Sequence, residues 1–287
     1  MSTNAKSSVV KKIARLLGDV LIILLPKKAR QLSENRITLI HKNKAKLNIV
    51  ERLMRYALVQ KLEKIEDHNT IAEKNREFWV KNDAIELFKE REDTFKTDFL
   101  PNCTFLFDML KKELSNQSEQ FHTIVEIGTG NGDVLNYLSI EFPQINRFVG
   151  IDLSPDQIDL NKIRFKENKK LEFVARDAVD WVKENGQSNT IFVSSRGVLE
   201  YFLEQGLQDF LNDINQLGKI FFVAIEPNAA DHDFKTQPKT QLYGHEPSFS
   251  HNYPHLFKSA GFGFWHSSQV PFLDSGSTRT FIGAKNL

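Results

Sequence analysis

The segment Val125-Glu126-Ile127-Gly128-Thr129-Gly130-Asn131-Gly132-Asp133 sets three glycines at alternate positions. It lies between a short apolar run, Thr123–Ile127, and an amphipathic stretch over residues 134–140. A strand-like run, a glycine turn and a helix-like period in immediate succession constrain the fold more than any other feature of the chain. Glycine is needed where the backbone takes positive φ or touches a ligand, because no Cβ intervenes. The expectation is an α/β unit whose first turn faces a small molecule.

The dinucleotide fingerprint G-x-G-x-x-G uses its third glycine for helix–strand packing and its helix N-terminus for a pyrophosphate. Here the third glycine, Gly132, comes one position early and Asp133 stands in the expected place. A carboxylate there would repel a pyrophosphate. Downstream, residues 147–152 read as a second strand closing on Asp152, with Leu153 next and a helix start in Ser154-Pro155-Asp156-Gln157. Residues 171–174 form a third strand-like run, followed by Arg176-Asp177-Ala178, and residues 190–195 a fourth, ending in Ser194-Ser195. A helix-like stretch covers residues 198–216. Strand ends recur about every 25 residues, as successive βα units require. Taken singly, each acid has a plain alternative as a helix cap or surface residue.

Glycine turn and strand-end acids in this order resemble the class I S-adenosylmethionine-dependent methyltransferases, over residues 105–287. The resemblance implies a seven-stranded Rossmann-like α/β sheet, five parallel strands plus a C-terminal antiparallel hairpin, with an N-terminal helical extension. It implies S-adenosylmethionine as cofactor, with Glu126, Gly128, Thr129, Gly130 and Gly132 around its amino-acid part. Asp152 and Leu153 then fall at the ribose, Asp177 and Ala178 at the adenine, and Ser194 at the fourth-strand end. The rest of the chain fits this order. Residues 219–225 read as a fifth strand, 251–260 as a helix, and 262–270 with 278–284 as a hairpin turning at residues 274–277.

Residues 1–100 are expected to form the helical extension or lid, and residues 101–287 the cofactor-binding domain. The last helix before the sheet is expected to begin after Pro101. The net charge of +1 hides an asymmetry, since from Lys6 to Arg55 there are 13 Lys and Arg against 3 acids. Apolar residues over 9–25 recur at three- and four-residue steps, with Pro26 as the expected stop. The uninterrupted apolar run over 20–25 is too short to cross a bilayer. Three readings of residues 9–30 stay open: packing on the chain's own domain, a homodimer contact, and peripheral contact with anionic lipid. A lone cysteine, Cys103, excludes an internal disulfide and a cysteine zinc cage and points to the cytoplasm. No repeat or low-complexity tract is evident.

Four of the eight histidines, His232, His245, His251 and His255, crowd the stretch between residues 226 and 257. A hydroxyl acceptor needs a base near neutral pKa, and His245, His251 and His232 are the candidates. A small-molecule acceptor is expected, with O-methylation slightly preferred over N-methylation and no metal. The alternatives are an RNA methyltransferase using the basic N-terminus and a non-catalytic scaffold. Nucleic acid is disfavoured, because few aromatics interleave the N-terminal charges.

Overall fold

The computed structural model describes residues 3–34, 47–64, 67–80, 85, 88, 93–117, 120–243, 248–272 and 277–286. The chain divides into two compact units, one of Met1–Phe78 with Leu242–Ser248 and one of Trp79–Gln241 with Phe249–Leu287.

The first unit is helical: α1 (Thr3–Leu24), α2 (Pro26–Glu34), α3 (Ile49–Lys64) and α4 (His68–Val80), whose last two residues belong to the second unit. Pro26 does not simply stop the first helix. It ends α1 and opens α2 at once, because a missing N–H costs nothing in a helix's first turn. A reciprocal cap starts α3: Glu51 N–H donates to Asn48 Oδ1 at 3.0 Å and Asn48 N–H to Glu51 Oε2 at 2.9 Å. Helices α1 and α3 meet at Gly18, where a Cβ would lie 2.2 Å from the Leu53 carbonyl oxygen and 2.7 Å from Ala57 Cβ. A small core of Ala29, Leu32, Leu47 and Met54 sits beside that contact, with Leu21 and Ile22 packed against it. No helix among the described residues is long and apolar enough to cross a membrane.

The second unit carries the sheet. A π-helical turn, Phe95–Phe99, runs into α5 (Leu100–Ser115), so the helix begins before Pro101 and holds the proline in its first turn. Then follow β1 (Thr123–Ile127), α6 (Asp133–Glu141), β2 (Arg147–Asp152), α7 (Pro155–Arg164), β3 (Leu171–Ala175), α8 (Ala178–Asn185) and β4 (Thr190–Ser195). A 3₁₀ turn, Leu199–Tyr201, precedes α9 (Glu204–Gln216), where the sequence suggested one continuous helix. The chain closes with β5 (Ile220–Ala229), short strands β6 (Gln241–Tyr243) and β7 (Ser248–Ser250), α10 (Tyr253–Ser259), β8 (Gly263–Phe272) and β9 (Ser277–Asn286).

Seven strands form one sheet in the order β3-β2-β1-β4-β5-β9-β8. The first five are parallel, and β9 pairs antiparallel with both β5 and β8. The sequence places the hairpin turn at residues 274–277, of which 274–276 lie outside the described residues. Strand alternation splits the core between two faces. Val125, Ile127, Val149, Ile151, Phe192 and Phe222 point to one, and Ile124, Phe148, Ile191, Val193, Phe221 and Val223 to the other. Phenylalanine contributes to both layers, with Phe192, Phe210, Phe222 and Phe257 on one side and Phe107, Phe142, Phe148 and Phe221 on the other. The strand order reverses between β1 and β4, so their carboxyl ends open a crevice at the topological switch point.

Candidate functional site

Three glycines of the β1–α6 turn take positive φ: Gly128 at 67°, Gly130 at 51° and Gly132 at 77°. Space is as restrictive as the backbone. A Cβ on Gly128 would lie 2.5 Å from Val198 Cγ2, one on Gly130 3.0 Å from the Phe88 ring, and one on Gly132 2.8 Å from the Phe165 ring. Gly150, in the middle of β2, is a further glycine set by close approach, since its Cβ would meet Thr129 Oγ1 at 2.8 Å.

Glu126 and Asp152, at the ends of adjacent strands, brace this turn from below. Glu126 is buried and accepts from the Thr129 hydroxyl at 2.7 Å and the Ser195 hydroxyl at 3.2 Å. Burial pushes its carboxyl up to about 8, against the opposing effect of those hydroxyls. The Asp152 carboxylate accepts from Gly130 N–H at 2.9 Å and Ser154 N–H at 3.0 Å, and burial raises its pKa too. Gln157 and Asn161, one helical turn apart on α7, complete the brace. Gln157 Nε2 donates to Asn161 Oδ1 at 2.9 Å, and Asn161 Nδ2 donates to the Gly130 carbonyl at 2.7 Å. Sequence reasoning passed over both amides, although their i, i+4 spacing around the buried Ile158 marks a polar pair on an inward face.

Asp133, taken from sequence as a residue that would repel a pyrophosphate, is held by Arg164 at 2.7 Å and by the Asn131 amide at 2.7 Å. Asp177 caps α8 by accepting from Val179 N–H at 2.8 Å, with Ala178 half-buried behind it. Leu153 is half-buried beside Asp152. Ser194 is fully buried and gives its hydroxyl to Glu226 Oε1 at 2.5 Å, so its side chain supports the β4–β5 junction. Glu226 also accepts from Val198 N–H at 2.9 Å and Leu199 N–H at 3.0 Å, which fixes the turn after β4. That turn is strained, with Arg196 at φ 64° and Gly197 at φ 80°. Beyond it an aromatic row crosses the mouth of the site. Phe88 lies against Gly130, Trp79 lies 5.7 Å from Phe88, and Tyr201 lies 5.4 Å from Trp79 between ring centroids.

The histidines are placed differently from the sequence expectation. His251 is fully buried, with Nε2 3.1 Å from the Phe202 carbonyl and Nδ1 2.7 Å from Thr240 Oγ1. A carbonyl only accepts, so Nε2 carries the proton and Nδ1 takes the threonine hydroxyl's. His232 repeats the arrangement, Nε2 to the Gln237 carbonyl at 3.0 Å and Nδ1 to Ser250 Oγ at 2.8 Å. Neither ring keeps a lone pair for an acceptor hydroxyl. His245 lies outside the described residues. Among the described residues no three His, Cys, Asp or Glu side chains converge on a metal position.

Burial lowers the pKa of His251 to about 4. The folded state therefore excludes a proton that the unfolded chain takes up below about 6.5, and the stability due to His251 is lost as pH falls from 6.5 toward 4. His251→Ala is expected to cost about 2–4 kcal/mol, from a cavity plus two orphaned partners, and to flatten that acid limb. Turnover per folded molecule should stay unchanged. Urea unfolding at pH 5 and 7, beside an activity assay, checks this, and a selective loss of turnover would restore the ring as a base.

Residues 124–219 match the model of a methyltransferase domain. A comparison of the sequence with curated proteins finds no match. Among solved structures, the magnesium protoporphyrin IX methyltransferase of Synechocystis PCC 6803 with bound S-adenosyl-L-homocysteine is similar at a TM-score of 0.52 and 11% identity, over 76% of this chain and 100% of that one. A SAM-dependent methyltransferase of Leishmania major is similar at a TM-score of 0.50 and 8% identity, over 74% and 82%. At such identities the likeness concerns the fold. The matched domain runs from β1 to the edge of β5 and holds the glycine turn and both strand-end acids that follow it. The chain thus carries a methyltransferase domain over residues 124–219, set on a seven-stranded, Rossmann-like sheet.

Proposed function

We propose that the chain methylates a small-molecule acceptor, seated where the aromatic row meets the ends of β1 and β4. The turn of three positive-φ glycines at the carboxyl end of β1, braced by Glu126 and Asp152, carries this reading, because glycine lets the backbone itself approach a ligand closely. Gly128, Gly130 and Gly132 hold the amino-acid part of the cofactor, with Glu126 and Thr129 fixing the turn beneath it. Asp152 and Leu153 lie at the ribose, Asp177 and Ala178 at the adenine, and Ser194 keeps the β4 end in place. The bound cofactor supplies a methyl already activated on a sulfonium. What the protein adds is alignment of the acceptor and exclusion of water. Trp79, Phe88 and Tyr201 suit both tasks, being rigid apolar walls against which a flat acceptor packs.

An oxygen acceptor also needs a base. His232 and His251 are committed to protein partners, which leaves His245 as the candidate from the sequence. A nitrogen acceptor is the second reading, and Glu200 favours it: its carboxylate is buried next to Tyr201, where it takes the proton of an ammonium and leaves the neutral nitrogen, held against an aromatic face, to attack the methyl.

Calorimetric titration of the full chain with S-adenosylmethionine and S-adenosylhomocysteine should show saturable binding of both. Turnover across phenols, amines, sugars and tRNA then sorts acceptors, with His245→Ala suppressing transfer to oxygen and Glu200→Gln transfer to nitrogen. Absence of cofactor binding would leave the scaffold reading ahead. Turnover confined to tRNA and steeply salt-dependent would favour an RNA enzyme.

A further inference from the structure

Helix α1 is apolar on two opposite sides, and only one of them is used within its unit. Gly18 faces α3 at backbone contact, with Leu21 and Ile22 packed on the small core beside it. On the other side Ile13, Leu16, Leu17, Val20, Ile23 and Leu24 are each half or more exposed, up to 77% for Ile23. Their spacing of three and four residues puts them in one continuous stripe. Single exposed leucines need no explanation, but six in register along a helix mark an interaction surface.

We infer that this stripe docks on an anionic phospholipid surface. The charges around it select that occupant. Over residues 12–30 the chain carries Lys12, Arg15, Lys27, Lys28 and Arg30 against the single acid Asp19. Asp19 is itself engaged by Arg15 and Lys61, and Lys28 reaches Glu51 at 2.8 Å. Lys12 and Lys27 are exposed, one near each end of the stripe. Two copies pairing through the stripe would bring like charges together. A nucleic acid would satisfy the cations but leave the apolar side chains in water. A negatively charged lipid surface satisfies both, with the apolar side chains entering the acyl boundary and the cations meeting headgroups. The helix lies along such a surface, since it is not apolar enough to cross it.

The test is co-sedimentation of the full chain with vesicles of phosphatidylglycerol and phosphatidylcholine, compared with phosphatidylcholine alone. Binding is expected to the anionic vesicles, weakening as salt rises. The double variant Leu16→Glu/Leu24→Glu alters only exposed positions and should lower binding by at least ~10-fold, with Lys12→Glu/Lys27→Glu weakening it less. Circular dichroism and cofactor titration of each variant report folding and the methyltransferase site independently. The lipid proposal therefore stands or falls apart from the methyl-transfer reading. Folded protein that ignores anionic vesicles overturns it. So does a dimer, seen by analytical ultracentrifugation, that Leu16→Glu/Leu24→Glu dissolves without any vesicle binding by the parent.

Discussion

Gly128→Ala is expected to lower methyl transfer on the order of 100-fold and to destabilise the fold, through two separable causes. The first is conformational: at φ 67° an L-residue pays about 1–2 kcal/mol that glycine does not. The second is steric, because the new methyl would sit 2.5 and 2.7 Å from the two methyls of Val198, an overlap that costs about 1–3 kcal/mol to relieve. Relief by moving Val198 is not free. Its N–H is tied to Glu226, as is that of Leu199, so the push passes to the turn that carries Glu200 and Tyr201. A displacement of that kind at a methyl-transfer site accounts for the expected 100-fold. The double variant Gly128→Ala/Val198→Ala separates the causes: the steric part should return and the φ part should not. Thermal unfolding, a titration with S-adenosylmethionine and a turnover assay on the parent and both variants check the set. Parent-like affinity and turnover in Gly128→Ala would sink the view of this turn as a cradle.

Why this turn was readable from sequence, while much around it was not, follows from the range of the interactions involved. Glycines at 128, 130 and 132 answer a local demand, positive φ, and no other residue type meets it as easily. Strand-end acids are legible because β1, β2, β3 and β4 follow one another along the chain at the spacing that βα units impose. His232 and His251 misled for the opposite reason. Four imidazoles in one stretch look like chemistry, but the partners of His251 are Phe202, distant in sequence, and Thr240, and only the fold brings them together. Glu226 was likewise invisible as a structural acid. Its three donors come from Ser194, Val198 and Leu199, some thirty residues upstream on another strand and turn. The exposed side of α1 was visible as a pattern, yet periodicity cannot tell which of two apolar sides is buried. The contact at Gly18 decides that.

Glu226→Gln is expected to leave stability near the parental value at pH 5 and to raise it by several kcal/mol at pH 8. Burial lifts the Glu226 carboxyl from 4.5 to about 8, and the charge of Glu200 adds to the shift. Below 4.5 the carboxyl is protonated in both folded and unfolded chains, and its contribution is fully present. As pH rises from 4.5 to about 8, the unfolded chain gives up the proton while the folded one keeps it. Stability therefore falls by about 1.4 kcal/mol per pH unit. A neutral glutamine preserves the bonding: its oxygen accepts from Val198 and Leu199 as Oε2 does now, and its amide donates to the Ser194 hydroxyl. What it removes is the titration. Glu126, also raised to about 8 by burial, keeps a second slope of the same sign, so the variant should retain roughly half of the alkaline loss due to this pair. Urea unfolding at half-unit steps from pH 5 to 8.5 measures the difference between variant and parent. A difference that does not change with pH would mean that Glu226 is ionised in the folded chain, with its charge carried by the three donors alone. A difference that opens steadily above pH 5 means that the site is built on neutral acids. Glu126 and Glu226, both lifted to about 8 by burial, can then stand buried on two strands of one sheet without the cost of two buried charges.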